Sequence, residues 1–222
     1  MRKIIIAPDS YKGSLSSVRV AEIIAAVARR HYPQAEILQF PISDGGEGLV
    51  DALLTAVGGE KVRVKAHDPL GREMDAFYGR LKDGTAVIEV AAASGLPLLS
   101  ESERDPLRAS SFGTGELIQH AIEANAHEIL LGLGGSATTD GGAGAASALG
   151  IRYLDQDGNT IQNGLELSRL VRVDDTHRMQ GFESCHFTIA CDVTNPLYGP
   201  DGAAFVYAPQ KGASPAQVQL LD

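Results

Sequence analysis

Residues 128–149 read EILLGLGGSATTDGGAGAASAL: an apolar run, then a loop of glycine and small hydroxyl residues, then a stretch of small residues. The apolar run predicts a buried strand over 128–133, and the small residues predict a helix over about 141–149. A strand followed by a loop and a helix is the repeating unit of parallel α/β sheets. The stretch therefore predicts an α/β fold, with a donor-rich loop at the carboxyl end of a strand, where open sheets bind ligands.

The first part of the chain shows the same alternation of strand and helix patterns. Apolar runs predict strands over 3–7 and 35–40, and apolar residues at helical spacing predict helices around 20–27 and 50–57. Residues 1–59 are therefore expected to form the first part of a doubly wound, mostly parallel α/β domain of the flavodoxin or Rossmann type.

The rest of the chain, residues 60–222, predicts a second, inserted α/β domain. Charged and apolar residues alternate over 61–66, which is typical of a strand with one solvated face. Strand-like runs over 74–81 and 85–91 follow without an intervening helix, so these three strands are expected to be antiparallel. The domain boundary is placed near Gly59. Later expected elements are a helix over 116–124 and strands over 186–191 and 203–207.

Composition narrows the classes of function. The 222 residues carry 19 Lys and Arg against 28 Asp and Glu, a net charge of -9 that disfavours nucleic acid and anionic membrane surfaces as partners. Cys185 and Cys191 show no CxxC spacing and indicate reduced thiols. No run approaches the roughly 20 apolar residues of a membrane span, and the apolar start at 4–6 is too short for a signal peptide. A cytoplasmic protein is therefore expected.

The loop over 132–144 is the richest candidate site. Backbone amides and hydroxyls ahead of a helix N-terminus suit phosphate binding, and Asp140 adds a carboxylate suited to metal or proton chemistry. A flexible glycine linker is the alternative, although linkers rarely lie between a strand and its helix. The candidate phosphate-binding or substrate-binding residues of this loop are Gly134, Gly135, Ser136, Ala137, Thr138 and Thr139.

The same loop allows a dinucleotide-binding interpretation. Gly132, Gly134 and Ala137 match G-x-G-x-x-A, and Asp155 lies roughly where a ribose-binding acid would fall. This alternative predicts a nicotinamide-dependent oxidoreductase. Residues 138–142 prolong the loop where the helix of that fingerprint should already have begun, which weakens the match.

The loop after the first predicted strand reads APDSYKGS, residues 7–14. Asp9 and Ser10 lie at the carboxyl end of the strand, and Lys12 offers an ammonium group ahead of the first helix. The loop is therefore a candidate anion site. An ordinary turn with a solvated lysine is the alternative.

The loop after the second predicted strand reads PISDGGEG, residues 41–48. Asp44 can act as a base, bind a magnesium ion or accept a hydroxyl proton, while Gly45 and Gly46 allow close approach of the backbone. The alternative is that Asp44 caps the following helix.

Two more loops lie near the end of the chain. In ACDVTNPLYGPDGA, residues 190–203, Asp192 is a candidate metal ligand or general base and Asn195 a candidate substrate ligand. Both side chains can instead satisfy the backbone of a turn. In APQKGAS, residues 208–214, Lys211 is placed to meet an anion, although a lone loop lysine is more often solvated.

Taken together, these loops resemble those of the class I bacterial glycerate kinases. Seven motifs occur in that family's order and span nearly the whole chain. Two positions depart from the family pattern: Tyr11 stands where phenylalanine is common, and Thr139 stands where asparagine is common. The motifs are APDSYKGS (7–14), PISDGGEG (41–48), AAASGL (91–96), SFGTGELI (111–118), GLGGSATTDGG (132–142), ACDVTNPLYG (190–199) and APQKGA (208–213).

The resemblance implies transfer of the γ-phosphoryl group of ATP to D-glycerate, at the 2-hydroxyl, with Mg²⁺, in a cleft between two α/β domains. Phosphoryl transfer needs charge neutralisation, in-line positioning and an acceptor for the hydroxyl proton. Lys12 and the amides of 134–138 are then expected to hold phosphate. Asp44 or Asp192 is expected to take the proton, and Asp140 or Asp192 to hold Mg²⁺.

Family members continue beyond residue 222, so the chain is expected to be truncated at its C-terminal end. Ser214 and Pro215 predict the start of a helix, yet only seven residues follow the proline, which leaves Val218 and Leu221 without an obvious partner. A ligand-binding fragment without turnover is therefore a third interpretation. Besides ATP and D-glycerate, a second copy of the chain in a homodimer is a candidate partner.

Overall fold

The computed structural model describes residues 3–11 and 14–222, and within these ranges strands and helices form a mixed α/β structure. The candidate residue Lys12 lies outside the described residues. No helix of the described ranges is both long and apolar enough to cross a membrane.

The chain begins with two parallel strands connected by a helix: β1 (Lys3–Ile6), α1 (Ser17–His31) and β2 (Glu36–Gln39). Ser16 caps α1, since its side chain accepts a hydrogen bond from the amide of Arg19 at 3.2 Å. Ile6 packs against Ala21 and Ala25 on the inner face of the helix. The predicted β-α-β order of this region is thus confirmed.

A five-stranded mixed sheet forms the centre of the remaining chain, in the order β3 (Gly59–His67), β4 (Glu73–Leu81), β5 (Ala86–Glu89), β6 (Glu128–Gly132) and β9 (His186–Ala190). The pairs β3-β4 and β4-β5 are antiparallel, whereas β5-β6 and β6-β9 are parallel. Strands β7 (Arg152–Leu154) and β8 (Arg172–Asp174) form a separate antiparallel pair. The antiparallel strands and the later βα units therefore lie in one sheet. The α-helices of this part of the chain are α2 (Leu49–Val57), α3 (Ala91–Ser94), α4 (Phe112–Glu123), α5 (Ala143–Ala148), α6 (Ala203–Tyr207) and α7 (Pro215–Leu221).

Helix α2 packs on the five-stranded sheet. Leu49 and Val50 form a buried cluster with Val87 of β5. The domain boundary near Gly59 and the doubly wound, inserted-domain arrangement stay predictions. The packing of α2 favours a boundary before this helix, in the 41–48 loop.

The opposite face of the sheet carries the largest core cluster. Ile88 of β5 and Ile129 of β6 pack with Leu117 of α4, and all three side chains are fully buried. Burying such a side chain stabilises the fold by about 1.5–3 kcal/mol. Helix α4 begins at Phe112, one turn before its predicted start, and its N-terminal turn reaches the end of β5, where the Thr114 hydroxyl donates to the carbonyl of Val90 at 3.5 Å.

The segment 203–207 is the helix α6, where the sequence analysis predicted a strand. The prediction was wrong because a five-residue apolar run has no periodicity that separates strand from helix. Ala204 of α6 packs against Val218 of α7, which gives Val218 the buried partner that the sequence did not reveal. Ser214 caps α7, as predicted, in a capping box with Gln217.

Candidate active site

The loops after β1 and β2 lie side by side. The amide of Ile42 donates to the carbonyl of Pro8 at 3.0 Å, which extends the pairing of the two strands into their loops. The Asp9 carboxylate accepts from the amide of Ser10 at 2.6 Å, and Asp9 is exposed. Two predicted site residues therefore lie at the carboxyl edge of the first strand pair.

The 41–48 loop also packs against the loops that follow β6 and β9. The amide of Gly134 donates to the carbonyl of Gly45 at 3.2 Å. A Cβ atom at Gly134 would lie 2.6 Å from the Cα of Gly46, and one at Gly45 would lie 2.8 Å from the carbonyl oxygen of Ala190. Real Cβ atoms do not approach so closely, so glycine is required where these loops meet.

Asp44 lies at the tip of this junction. Its Oδ1 atom accepts from the amide of Gly46 at 2.9 Å, in an Asx turn. The N-cap position of α2 is Gly48, and it makes no side-chain capping bond. Asp44 therefore does not cap α2, and its chemical role stays a prediction.

Asp140 is buried, with 1% of its surface exposed. Its Oδ2 atom accepts from the amide and hydroxyl of Ser111, both at 2.8 Å, and from the amide of Gly144 at 3.2 Å. Its Oδ1 atom accepts from the amide of Gly142 at 3.1 Å. A carboxylate offers about four acceptor positions. These four donors favour a role for Asp140 in joining the loop to the first turns of α4 and α5, rather than the predicted role of metal ligand.

The AAASGL motif holds the other side of the 132–144 loop. The amide of Ala137 donates to the carbonyl of Ser94 at 2.8 Å, and the amide of Leu96 donates to the carbonyl of Gly135 at 2.9 Å. The hydroxyls of Ser94 and Thr114 are 2.8 Å apart and buried. This loop is therefore fixed on both sides and is not a flexible linker.

Lys211 reaches the same loop from the C-terminal segment. Its Nζ atom donates to the Ser136 hydroxyl at 2.9 Å and to the Thr138 carbonyl at 2.5 Å. Only 9% of the residue is exposed. Burial lowers the pKa of Lys211 to about 8, and the nearby Asp140 charge opposes this shift. Lys211 is thus a buried cation and not a solvated one.

The loop after β9 is open to solvent, and residues 191–198 are all exposed. The Nδ2 atom of Asn195 donates to the carbonyl of Asp201 at 2.9 Å, and its Oδ1 atom accepts from the Tyr207 hydroxyl at 2.6 Å. Asn195 therefore fixes the turn, while Asp192 presents an exposed carboxylate at the carboxyl end of β9.

Glu89 is a buried carboxylate that the sequence reasoning did not select. It lies at the end of β5, is 2% exposed, and accepts from the amide of Val50 at 2.7 Å. Burial raises the pKa of Glu89. A charged residue within the apolar run AVIEV, residues 86–90, was the available signal. Its bond to the first turn of α2 fixes the helix that follows the 41–48 loop.

A cavity of about 290 Å³ lies between the 132–144 loop and helices α4 and α5. Its floor is apolar and includes Val90, Ile118 and Leu131, and Thr139 lies on its polar side. The Oγ1 atom of Thr139 is buried and has no hydrogen-bond partner in the described part of the chain. A buried polar atom without a partner is uncommon, and a ligand or a water molecule can supply the missing hydrogen bond.

The dinucleotide interpretation finds little support at Asp155. Its Oδ1 atom accepts from the amides of Asp157 and Asn159 at 3.0 and 2.8 Å, and its Oδ2 atom accepts from the Asn159 side chain at 3.1 Å. Asp155 therefore holds a turn. The helix after the loop begins at Ala143, eleven positions beyond Gly132, whereas the fingerprint places the helix within the motif.

No group of three or more His, Cys, Asp or Glu residues that could hold a metal occurs within residues 3–11 and 14–222. Magnesium in phosphoryl-transfer sites is usually held by one or two carboxylates together with substrate phosphates, so a dense protein cage is not required. The exposed carboxylates of Asp44 and Asp192 fit this kind of ligation.

Fold and loops together define an α/β protein whose candidate ligand site lies at the carboxyl ends of its parallel strands. The model of the glycerate kinase family matches residues 4–222. The Glycerate 2-kinase of Escherichia coli (strain K12) is 47% identical over 222 residues, which cover 99% of this chain and 58% of that protein. The Glycerate kinase of Bacillus subtilis (strain 168) is 46% identical, again with 99% of this chain and 58% of the relative covered.

A solved structure named as glycerate kinase 2 from Salmonella typhimurium LT2 superposes with a TM-score of 0.88 at 49% sequence identity. The match covers 100% of this chain and 60% of that structure. The chain therefore belongs to the glycerate kinase family. It spans about three fifths of the length of the relatives it matches.

Proposed function

We propose that the protein transfers the γ-phosphoryl group of ATP to D-glycerate, with 2-phosphoglycerate as product and Mg²⁺ as the metal. The observation that carries the proposal is the junction of the 41–48, 132–144 and 190–203 loops, which brings amide donors and exposed carboxylates to one edge of the sheet. Family membership supports the same reaction, and the E. coli relative is named as a 2-kinase. We expect this chemistry in the cytoplasm.

The phosphate groups are assigned to the loop over 134–139. Its backbone is held through Ser94 and Lys211, so it keeps a fixed arrangement before a ligand arrives. The amides of Gly134 and Ala137 already donate to Gly45 and Ser94, so the phosphate contacts are assigned to the other amides of the loop. Fixed donors lose little entropy on binding and stabilise the charge that develops during phosphoryl transfer. Lys12 and Ser10 are proposed to contribute from the 7–14 loop.

The proton of the attacking hydroxyl is assigned to Asp44 or Asp192. Both carboxylates are exposed and belong to loops that touch the glycine junction of Gly45 and Gly134. A base must come within hydrogen-bonding distance of the hydroxyl it activates, and side chains at the edge of a cleft meet that condition most easily.

Asp192 and Asp44 are also the residues that would hold Mg²⁺, which supplies neutralisation of the phosphate charge when bound. Asp140 is assigned a positioning role because its four acceptor positions are occupied by protein donors. The unpartnered hydroxyl of Thr139 is proposed to bind a substrate hydroxyl or carboxylate, in place of the amide that is common at this position in the family.

The test is formation of ADP from ATP and Mg²⁺ in the presence and absence of D-glycerate, with L-glycerate and D-lactate as controls. We expect ADP release that depends on D-glycerate, and a product whose ³¹P NMR signal identifies the 2-phosphate. A 3-phosphate product would correct the regiochemistry. Absence of turnover in the intact protein, together with reduction of NAD by an alcohol substrate, would replace the proposal with the oxidoreductase alternative.

The coverage of the relatives leaves one alternative for the 222-residue chain itself. A chain that spans 58% of an enzyme can bind ligands without completing the reaction. Binding without turnover by this chain, combined with turnover by a relative of full length, would assign the missing step to the part of the relatives that this chain does not cover.

A further inference from the structure

A buried lysine lies directly behind the loop that we assign to phosphate. Lys211 is 9% exposed, and its ammonium group donates to the Ser136 hydroxyl at 2.9 Å and to the Thr138 carbonyl at 2.5 Å. Burying an ammonium group is costly unless its donors are satisfied and its charge is compensated. Lys211 is buried in spite of this cost, which indicates a role beyond packing.

The backbone around Lys211 is fixed as firmly as its side chain. The amide of Lys211 donates to the carbonyl of Ala208 at 3.0 Å, and the amide of Ala213 donates to the same carbonyl at 3.1 Å. Gly212 has φ +99°, and a Cβ atom there would lie 2.4 Å from the carbonyl oxygen of Arg104. Lys211 therefore lies in a rigid turn that packs against Arg104.

The ammonium group of Lys211 has an acidic neighbour. Asp140 is the acidic residue whose charge acts on Lys211. The Asp140 carboxylate is occupied by amide and hydroxyl donors from Ser111, Gly142 and Gly144. The carboxylate keeps its negative charge when it accepts from these neutral donors, and it acts on Lys211 through space. An anion bound on the outer side of the loop would add to this compensation.

We propose that Lys211 is a positioning residue: through Ser136 and Thr138 it fixes the backbone of residues 134–139 for a polyphosphate and places a positive charge behind it. This rests on the proposed function, because the ligand is the triphosphate of the nucleotide. Lys211 acts from behind the loop, since its ammonium donates to loop atoms and is shielded from solvent. From the sequence, Lys211 was predicted to contact an anion directly. In this proposal Lys211 acts on the anion through the loop instead.

The proposed role concerns the phosphate groups of the nucleotide and not its nucleoside. Loss of Lys211 should weaken binding of the phosphate groups and leave binding of the nucleoside unchanged. A purely structural role would weaken both, since loss of packing does not discriminate between ligand parts. Inorganic tripolyphosphate and adenosine are therefore suitable probes, because each carries one part alone.

The experiment compares the intact protein with Lys211→Met, which keeps the length of the stem, and with Lys82→Met at an exposed lysine as the control. Affinity for tripolyphosphate should fall by about tenfold or more in Lys211→Met, as expected for loss of charge-assisted bonds. Affinity for adenosine and all properties of the control should be unchanged. Equal affinity of Lys211→Met and the parent for tripolyphosphate would overturn the proposal.

Hydrogen exchange supplies a second readout that needs no activity. Amides of 134–142 should exchange faster in Lys211→Met, while those of β4 keep their rates. Unchanged exchange in the loop would contradict the positioning role. If the parent fails to bind tripolyphosphate, the proposed function is contradicted, and the exchange rates still decide whether Lys211 fixes the loop.

Ser136→Ala tests the link between the two residues in a double-mutant cycle, and if Lys211→Met proves unstable, Ser136→Ala alone should still speed amide exchange in residues 134–142. It removes one acceptor of the ammonium and leaves the lysine in place. In a double-mutant cycle, the two substitutions should lower tripolyphosphate affinity by less than the product of their separate effects. Strictly multiplicative effects would show that Lys211 does not act through Ser136.

Discussion

The loop after β6 and the loop after β9 follow neighbouring parallel strands, yet they are built in opposite ways. In the first, Asp140 is 1% exposed and accepts four hydrogen bonds from the protein. In the second, residues 191–198 are all exposed, and Asp192 presents its carboxylate to solvent. Aspartates in the loops of neighbouring strands are therefore held in different ways. The buried one accepts from protein donors, and the exposed one is the residue that we propose for substrate chemistry.

The largest effect that would test this contrast is a loss of stability at Asp140. Asp140→Asn replaces an oxygen acceptor with a donor that faces protein donors. We expect the free energy of unfolding to fall by about 3–4 kcal/mol, because buried hydrogen bonds to a charged group are lost together. Urea denaturation measures the change.

Asp157→Asn, in an exposed turn, is the matched control and should change stability by no more than about 0.5 kcal/mol. If Asp140→Asn were as stable as the parent, the carboxylate would not be the organising group of the loop.

The second effect is a loss of activity without a loss of stability at Asp192. Asp192→Asn should lower kcat by about 10²–10⁴-fold, the range for removal of a general base, while the melting temperature stays the same. The exposed Asp201 of the same loop supplies the control Asp201→Asn, which should retain activity. An unchanged kcat in Asp192→Asn would leave Asp44 as the base and remove Asp192 from the site.

The third effect concerns the junction between the loops. Gly134→Ala would place a Cβ atom 2.6 Å from the Cα of Gly46 and force the two loops apart. We expect a loss of about 1–3 kcal/mol in stability together with loss of phosphorylation activity.

Gly158→Ala is the comparison for the Gly134 variant. Gly158 has φ +83° and no atom near the added Cβ position, so this substitution costs stability through backbone strain alone. We expect Gly158→Ala to keep the phosphorylation activity of the parent. Equal activity of the two variants would show that contact between the 41–48 and 132–144 loops is unnecessary for function.

The smallest expected effect is a pH dependence of the free energy of unfolding that arises from Glu89. Burial raises the pKa of Glu89, so the folded state holds this proton to a higher pH than the unfolded state does. The associated stability is fully present below the ordinary pKa of 4.5 and is lost as the pH rises through the folded value. Glu89→Gln removes this titration.

The free energy of unfolding of Glu89→Gln relative to the parent should therefore increase as the pH is raised above 4.5. Chemical denaturation at a series of pH values measures the slope. Glu60→Gln, at an exposed position of β3, should run parallel to the parent. Parallel curves for Glu89→Gln as well would mean that Glu89 titrates in the folded protein as it does in the unfolded chain.

The fold was predictable where apolar periodicity and strand length agree. The strand, loop and helix at 128–149 and the first βαβ unit follow directly from such patterns. The segment 203–207 was not predictable because five apolar residues fit either structure, and its packing against Val218 decides the outcome. Tertiary contact, rather than local preference, sets that helix.

The positions of the candidate loops were predictable, because they follow the carboxyl ends of strands. The roles of single residues were less so. Lys211 and Ser136 are separated by 75 positions, and Ser111 and Asp140 by 29, so their hydrogen bonds depend on how the sheet and helices are assembled. Glu89 was not predicted as a site residue, because a single acid in an apolar strand has no sequence spacing that identifies its hydrogen-bond partner.

We propose that the loops over 41–48, 132–144 and 190–203 form one phosphoryl-transfer site. Hydrogen exchange of the intact protein, with and without MgATP and D-glycerate together, tests this proposal. All three loops should become protected when the ligands bind, while the β7-β8 pair stays unchanged. Protection confined to β7 and β8, with no change in the three loops, would contradict it.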